Sequence, residues 1–192
     1  MKQAPKKVTF CSSRSIFINL VLMCVFWTAS SFNYYLMTFF LKYIPGNLFV
    51  NTSIASLSEI SSYVLSAYVM KFLGLKISYI MAWLIGATGG ILMVIFSNND
   101  QMMGVFVLLS KFGVSFAFNN SYLGMPKLFP VALCGTAFGI CNVFARFATV
   151  LSPLVAELPY PGPMIIFASC CSVGVVLAFF LQMPKSDTVV SE

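Results

Sequence analysis

The sequence contains no histidine and very little charge, and each shortage excludes a class of protein. Without histidine, a Ser-His-Asp triad and most zinc sites are impossible. Only 8% of the residues are charged, whereas about a quarter of a soluble domain normally is. Acidic residues are scarcest, five against eleven lysines and arginines, and only Glu59 lies inside a long apolar segment. We therefore expect no enzyme, no catalytic residues, no metal site and no cofactor.

Apolar residues take the place of the missing charge. The chain has 192 residues, of which 59% are hydrophobic and 16% aromatic, and its mean hydropathy is +0.93. A soluble domain of this size could not bury so much apolar surface, so the sequence predicts a multi-pass membrane protein. The six cysteines lie inside or beside the apolar segments without a CxxC pair, which favours small buried side chains over disulfides or metal ligands.

Six segments are long and apolar enough to cross a bilayer, which takes about 20 residues. The connections between them are short, and no linker divides the chain, so we expect one domain, residues 1–192, in an all-α polytopic fold with consecutive helices antiparallel. The first segment is too long for the apolar region of a cleaved signal peptide, so it is expected to remain uncleaved. The segments cover roughly 15–40, 48–70, 77–96, 102–123, 132–151 and 163–183.

The basic residues outside these segments predict the orientation, because lysine and arginine concentrate in cytoplasmic loops. One side holds eight of them and the other holds Lys42, together with the acids Asp100 and Glu157. Both termini are therefore expected in the cytoplasm, and the net charge of +6 indicates topology rather than nucleic-acid binding. The eight are Lys2, Lys6, Lys7, Arg14, Lys71, Lys76, Lys127 and Lys185.

Three charged residues, Glu59, Lys111 and Arg146, fall near the middle of predicted spans. A charge at this depth costs about 2.5–3.5 kcal/mol on insertion scales, so each requires a reason. One reason is a buried ion pair that only fixes packing. However, three charges with a sum of +1 cannot pair one to one. The surplus favours a functional role for Arg146 and Lys111, while Glu59 fits either interpretation.

Polar neighbours accompany each charge at helical spacing. Arg146 shares a stripe with Asn142 and two glycines, and Lys111 shares one with Asn119. The third and sixth segments carry small residues instead of charge. This pattern favours four helices around a polar cavity with two outer helices facing lipid.

Other features permit two interpretations. Tyr34 and Tyr35 could stack an organic ligand or belong to an interfacial aromatic belt. The glycine pairs Gly86/Gly90 and Gly135/Gly139 favour close helix packing within the bundle over a dimer interface.

Three motifs in order resemble the organic-ion transporters (organic cation, anion and carnitine carriers) of the major facilitator superfamily. They read Leu109-Ser-Lys-Phe-Gly-Val-Ser-Phe-Ala-Phe-Asn-Asn-Ser-Tyr-Leu, then Leu128-Phe-Pro, then Ala145-Arg-Phe-Ala-Thr-Val-Leu-Ser-Pro. The family pattern is G-K-F/G…S-F-N…Y-L-Y…E-L-[YF]-P followed by [AS]-R-x-G-[ST]-x-x-[SA]-P. Ser31-Phe-Asn-Tyr-Tyr and Ser58-Glu-Ile also match. The resemblance covers nearly the whole chain but only the C-terminal six helices of a twelve-helix transporter.

The resemblance implies a secondary transporter working by alternating access, with the substrate between two six-helix halves. Anion and carnitine carriers of the family place an arginine at the position of Arg146, where the cation carriers tend to place an acid. Arg146 would then face the negative group of an organic anion or zwitterion, with Lys111 adding to the positive field. Tyr34, Tyr35 and Phe118 would contact the organic part, and Glu59, Asn119 and Asn142 complete the predicted substrate site.

Two departures from the family raise an alternative. In the family, cytoplasmic glutamates pair with loop arginines in a charge latch. Here Lys127 and Lys185 replace those glutamates, so this latch cannot form as such. The second departure is that the other half of the site is missing. The partners we expect are the lipid bilayer, a small organic ion, and either a second six-helix half or a second copy of the chain. The alternative function is a non-transporting half that acts as an interaction or assembly partner in the membrane. The plasma membrane is favoured over an organelle.

Overall fold

The computed structural model describes residues 14–44, 47–96 and 100–183, and these residues form six α-helices in the predicted order. A short 3-10 helix, Leu41–Tyr43, follows the first of them. The expected all-helical fold is confirmed for this part of the chain. The basic residues Lys2, Lys6, Lys7 and Lys185 lie outside it. The helices are α1 Arg14–Phe40, α2 Leu48–Phe72, α3 Gly74–Ile95, α4 Asp100–Leu128, α5 Val131–Ala156 and α6 Gly162–Ala178.

Four of the six helices are long and apolar enough to cross a membrane by length and composition, namely α1, α3, α4 and α5. Helix α6 is apolar but has only 17 residues. Helix α2 has 25 residues, but serines and Glu59 interrupt its apolar run. The structure thus supports a helical membrane protein, and the prediction of six crossings stays a prediction for α2 and α6.

Local sequence accounts for the helix ends around α2. The side chain of Asn47 accepts a hydrogen bond from the Phe49 amide at 2.9 Å and caps the first turn. At the other end Gly74 adopts φ +83°, a conformation that side chains disfavour, so the chain can turn directly from α2 into α3.

Helix α4 lies at the centre of the bundle, in contact with α1, α2 and α3. Helix α1 packs along α5 and α4, while α4 packs against α2 and α3, and α6 lies mainly against α3. Helices α2 and α5 therefore flank α1 and α4 on one side, and α3 and α6 lie on the other. The polar cavity among four helices and the lipid-facing position of α3 and α6 stay predictions, and half of the apolar stretch of α3 is buried inside the bundle.

Large side chains and glycines fill the interior between these helices. Phe26 stacks on Tyr79 with centroids 4.7 Å apart, and Trp83 lies 6.3 Å from Phe26. Glycine permits the close approach of α3 and α4: a Cβ on Gly113 would lie 2.3 Å from the backbone nitrogen of Gly86. No other residue fits there without moving a helix.

The two glycine pairs differ in their surroundings. Gly86 and Gly90 contact α4 and α6, as predicted from their spacing. For Gly135 and Gly139 the prediction of packing within the bundle is wrong, because a Cβ on either would meet nothing within 4 Å. They lie on the side of α5 that faces away from α1, and spacing along one helix cannot reveal which side that is.

Candidate functional site

An aromatic row crosses the surface formed by α1 and α4. We define this row as Tyr34 of α1 with Phe118 and Tyr122 of α4. Tyr34 stacks on Phe118 at 5.4 Å between centroids, and Phe118 contacts Tyr122 edge-on at 5.2 Å. Phe118 and Tyr122 are four residues apart and so share one face of α4. Tyr35 packs edge-on against Tyr34 at 5.4 Å.

Lys111 lies at the α1 end of the row and is almost fully buried, with 3% of its surface exposed. Its ammonium group lies 3.5 Å from the centroid of the Tyr34 ring and donates a hydrogen bond to the Thr38 hydroxyl at 2.6 Å. The ring face and the hydroxyl stabilise the charge in place of water. The Lys111 amino group is therefore held in place against the aromatic row.

Glu59 of α2 is half-buried and accepts a hydrogen bond from the Tyr63 hydroxyl at 2.7 Å. It also interacts electrostatically with the Tyr34 hydroxyl and with Lys111. Within the part of the chain that the structure covers, however, the only ion pair joins Lys42 to Glu157. Glu59 thus lies near Lys111 without forming a direct salt bridge to it.

Arg146 lies on the exposed face of α5. Its side chain lines a shallow, open surface groove together with Asn142, Gly139 and apolar side chains, all of them on α5. The guanidinium interacts electrostatically with the Tyr122 hydroxyl. Among the described residues it makes no hydrogen bond and no ion pair. This charge is available to a ligand or partner.

The two predicted asparagines have different surroundings. Asn119 is engaged within the bundle, since its amide donates to the Ser66 hydroxyl and, at 3.4 Å, to the Tyr63 carbonyl. It therefore ties α4 to α2. Asn142 is half-buried and shares the groove of Arg146. Only Asn142 has an orientation that directly suits ligand contact.

Two further residues, Tyr122 and Thr38, contact the predicted site residues although the predicted site did not include them. Tyr122 continues the row from Phe118, and Thr38 accepts the hydrogen bond from Lys111. Thr38 lies four residues after Tyr34 and therefore shares a helix face with it, so this spacing could have predicted that Thr38 lies in the site. No described group of three or more His, Cys, Asp or Glu side chains could hold a metal ion.

The site as a whole combines an aromatic surface with two cations and one acid. Aromatic rings can pack against the organic part of a ligand, and a guanidinium without a protein partner can form paired hydrogen bonds with an anionic group. No described side chain is arranged as a nucleophile beside a general base. The geometry is that of a binding surface.

Comparison with known proteins shows which proteins the chain resembles. No family model matches the chain. It is 28% identical over 194 residues to organic anion transporter 3 of Rattus norvegicus, an alignment that covers 96% of the chain and 34% of that protein. Organic cation/carnitine transporter 2 of Homo sapiens is 24% identical over 177 residues, covering 88% of the chain and 32% of its own length. Solute carrier family 22 member 4 of Mus musculus is 24% identical over 176 residues, with coverages of 88% and 31%.

The chain spans about a third of the length of these relatives. They are transporters rather than enzymes, which supports the expectation that the chain has no enzymatic activity. The predicted resemblance is confirmed: over most of its length the chain is similar to organic cation/carnitine and organic anion transporters of solute carrier family 22.

Proposed function

We propose that this chain forms one wall of the substrate site of a secondary transporter for small organic ions, with anions or zwitterions favoured. Arg146 binds the negative group of the substrate, and the aromatic row binds its organic part. Lys111 adds to the positive electrostatic field that attracts the negative group. The transport function is supported by the relatives, which are organic ion transporters. The preference for negative groups rests on the residues of this chain.

One observation carries the preference: the Arg146 guanidinium is exposed and has no partner among the described residues. Insertion scales assign such a charge about 2.5–3.5 kcal/mol at the bilayer centre. An anionic ligand in a water-filled groove offsets this cost by giving the guanidinium charge-assisted hydrogen bonds. Lys111 cannot take this role, because its ammonium is buried against Tyr34 and Thr38.

Glu59 makes a zwitterion a plausible ligand beside a simple anion. The acid lies on α2, and Arg146 lies on α5, so the two charges lie on the two helices that flank the row. A ligand with a cationic group toward Glu59 and a carboxylate toward Arg146 would match both charges. One relative is named for carnitine, which carries both kinds of group.

Alternating access requires a second wall, and the chain presents a surface suited to one. Helices α2 and α5 flank the row and expose large apolar side chains, such as Leu57 (65%) and Phe147 (74%). We propose that a second six-helix half covers this surface and that the two halves rock about the ligand. A second copy of the chain is the other candidate, since two-fold symmetry would bring α2 of one copy to α5 of the other.

A second function is favoured by the charge changes at the cytoplasmic loops. Lys127 stands where the family's latch has an acid, and its ammonium lies 3.4 Å from the Met70 carbonyl. A half that lacks the latch and exposes α2 and α5 could act as an interaction or assembly partner without transporting. In either role we propose an integral protein of the plasma membrane with cytoplasmic termini.

Uptake of labelled organic anions into proteoliposomes distinguishes the two functions. Wild type, Arg146→Ala and the control Phe144→Ala are compared, because Phe144 is exposed on α5 but does not line the groove. Transport predicts uptake above that of empty vesicles for wild type and Phe144→Ala, and a loss for Arg146→Ala. Equal, background-level uptake by all three chains would exclude transport by this chain alone.

The size of the protein in a mild detergent tests the need for a second wall. A dimer, or co-purification with a second six-helix chain, is expected if α2 and α5 form an interface. A monomer that transports would contradict this part of the proposal.

A further inference from the structure

Two cysteine side chains meet across the α1–α5 contact. The sulfur of Cys24 lies 3.3 Å from the sulfur of Cys141, although 117 positions separate them in the sequence. Cys141 is buried and Cys24 is half-buried, so one thiol of the pair is accessible and the other is sheltered. The remaining described cysteines, Cys134, Cys170 and Cys171, have no such partner sulfur among the described residues.

We propose that Cys24 and Cys141 form a modification site that a lipophilic hydroperoxide converts to a disulfide. A disulfide bond is about 2.05 Å long, so the sulfurs need to approach by little more than ~1 Å. Both cysteines lie inside membrane helices, where an organic hydroperoxide dissolved in the bilayer has better access than a charged oxidant. This inference does not depend on the proposed transport function.

The chemistry proceeds in two balanced steps. The Cys24 sulfur attacks the terminal oxygen of the hydroperoxide ROOH, the O–O bond breaks, and the Cys24 proton goes to the leaving alkoxide. The products are a Cys24 sulfenic acid and ROH. The Cys141 sulfur then attacks the Cys24 sulfur, the S–O bond breaks, and the Cys141 proton leaves with hydroxide as water. Two electrons pass from the thiols to the hydroperoxide, which is reduced to the alcohol.

The disulfide would fasten the helix that carries Tyr34 to the helix that carries Arg146. The contact beside it is already tight, because Trp27, one turn after Cys24, meets Phe138 edge-on at 4.7 Å. Oxidation therefore joins two helices of the candidate site covalently without requiring a new packing arrangement.

Peptide mapping tests the site directly. The reduced full chain in lipid nanodiscs is treated with cumene hydroperoxide, remaining thiols are alkylated, and digested peptides are identified by mass spectrometry. We expect the Cys24–Cys141 linked peptide to form at least about tenfold faster than any other pair, because the two thiols are already positioned. Cys134→Ser, the control on α5, leaves this rate unchanged, and Cys24→Ser abolishes the linked peptide.

Unfolding in SDS provides a test that does not rely on variants. The wild-type chain should lose its preference for the Cys24–Cys141 pair when the helices separate. Linked peptides in random proportion from the folded chain would overturn the proposal. So would oxidation of Cys24 to sulfinic acid without a link, or alkylation of both thiols as fast as that of Cys134 after hydroperoxide treatment.

Discussion

Replacing Arg146 by alanine should separate ligand binding from stability. The guanidinium is exposed on α5 and has no hydrogen-bond or ion-pair partner within the described chain. Its removal therefore breaks no contact that holds the helices together. A ligand anion, in contrast, would lose its main partner.

The two effects differ in size. A hydrogen bond to a charged group contributes about 1.5–3 kcal/mol, which corresponds to roughly a ten- to hundredfold loss of affinity. Substitution of an exposed residue without partners changes the free energy of unfolding by about 0.5 kcal/mol or less. In lipid, loss of the charge even favours insertion by about 2.5–3.5 kcal/mol. Arg146→Ala should thus weaken anion binding without lowering stability.

Binding and unfolding are measured on the same preparations in nanodiscs. One probe is a labelled aromatic carboxylate, and the second is a neutral amide of the same shape. The affinity for the carboxylate should fall in Arg146→Ala, while the affinity for the amide should not. Phe144→Ala is the matched control, since Phe144 is also exposed on α5.

Two results would refute the reasoning. If Arg146→Ala bound the carboxylate within twofold of wild type, the guanidinium would not be the anion-binding group. If the variant unfolded much more readily than Phe144→Ala, Arg146 would have a structural partner, and its exposure would not indicate a binding role.

Three further predictions follow from other parts of the molecule. Gly113→Ala should destabilise the bundle by about 1–3 kcal/mol, because its Cβ would clash with the backbone of α3. Gly139→Ala should not, because its Cβ would lie in open space. SDS-induced unfolding of both variants measures the difference. Lys111→Met should lower carboxylate affinity less than Arg146→Ala does, because Lys111 is buried and already engaged; a larger loss in the same binding assay would contradict this. The hydrogen bond from Lys42 lowers the pKa of Glu157 below the ordinary glutamate value. The stability that this ion pair provides is therefore present above the ordinary glutamate pKa and is lost as the pH falls through the lowered pKa. Thermal unfolding of wild type and Glu157→Gln should therefore differ at pH 7 and converge in acid; a constant difference would refute the assignment.

Much of the fold could be predicted because apolar length is a local property. Six apolar segments correspond in order to six helices, and charge inside them marked Glu59, Lys111 and Arg146 without any knowledge of their neighbours. The spacing of Gly86 and Gly90 correctly indicated helix packing. The same spacing failed at Gly135 and Gly139, because a period along one helix does not identify which face meets another helix.

The sequence by itself determined the class of the protein, the order of its helices and the surplus of positive charge in its spans. These follow from composition and from the cost of placing charge in lipid. Only the tertiary structure decided that Lys111 is enclosed by Tyr34 and Thr38 while Arg146 is exposed. Lys111 and Arg146 have a similar predicted depth and similar polar neighbours in the sequence, yet their surroundings in the structure differ. The reason is that burial depends on contacts between helices that are distant in the sequence.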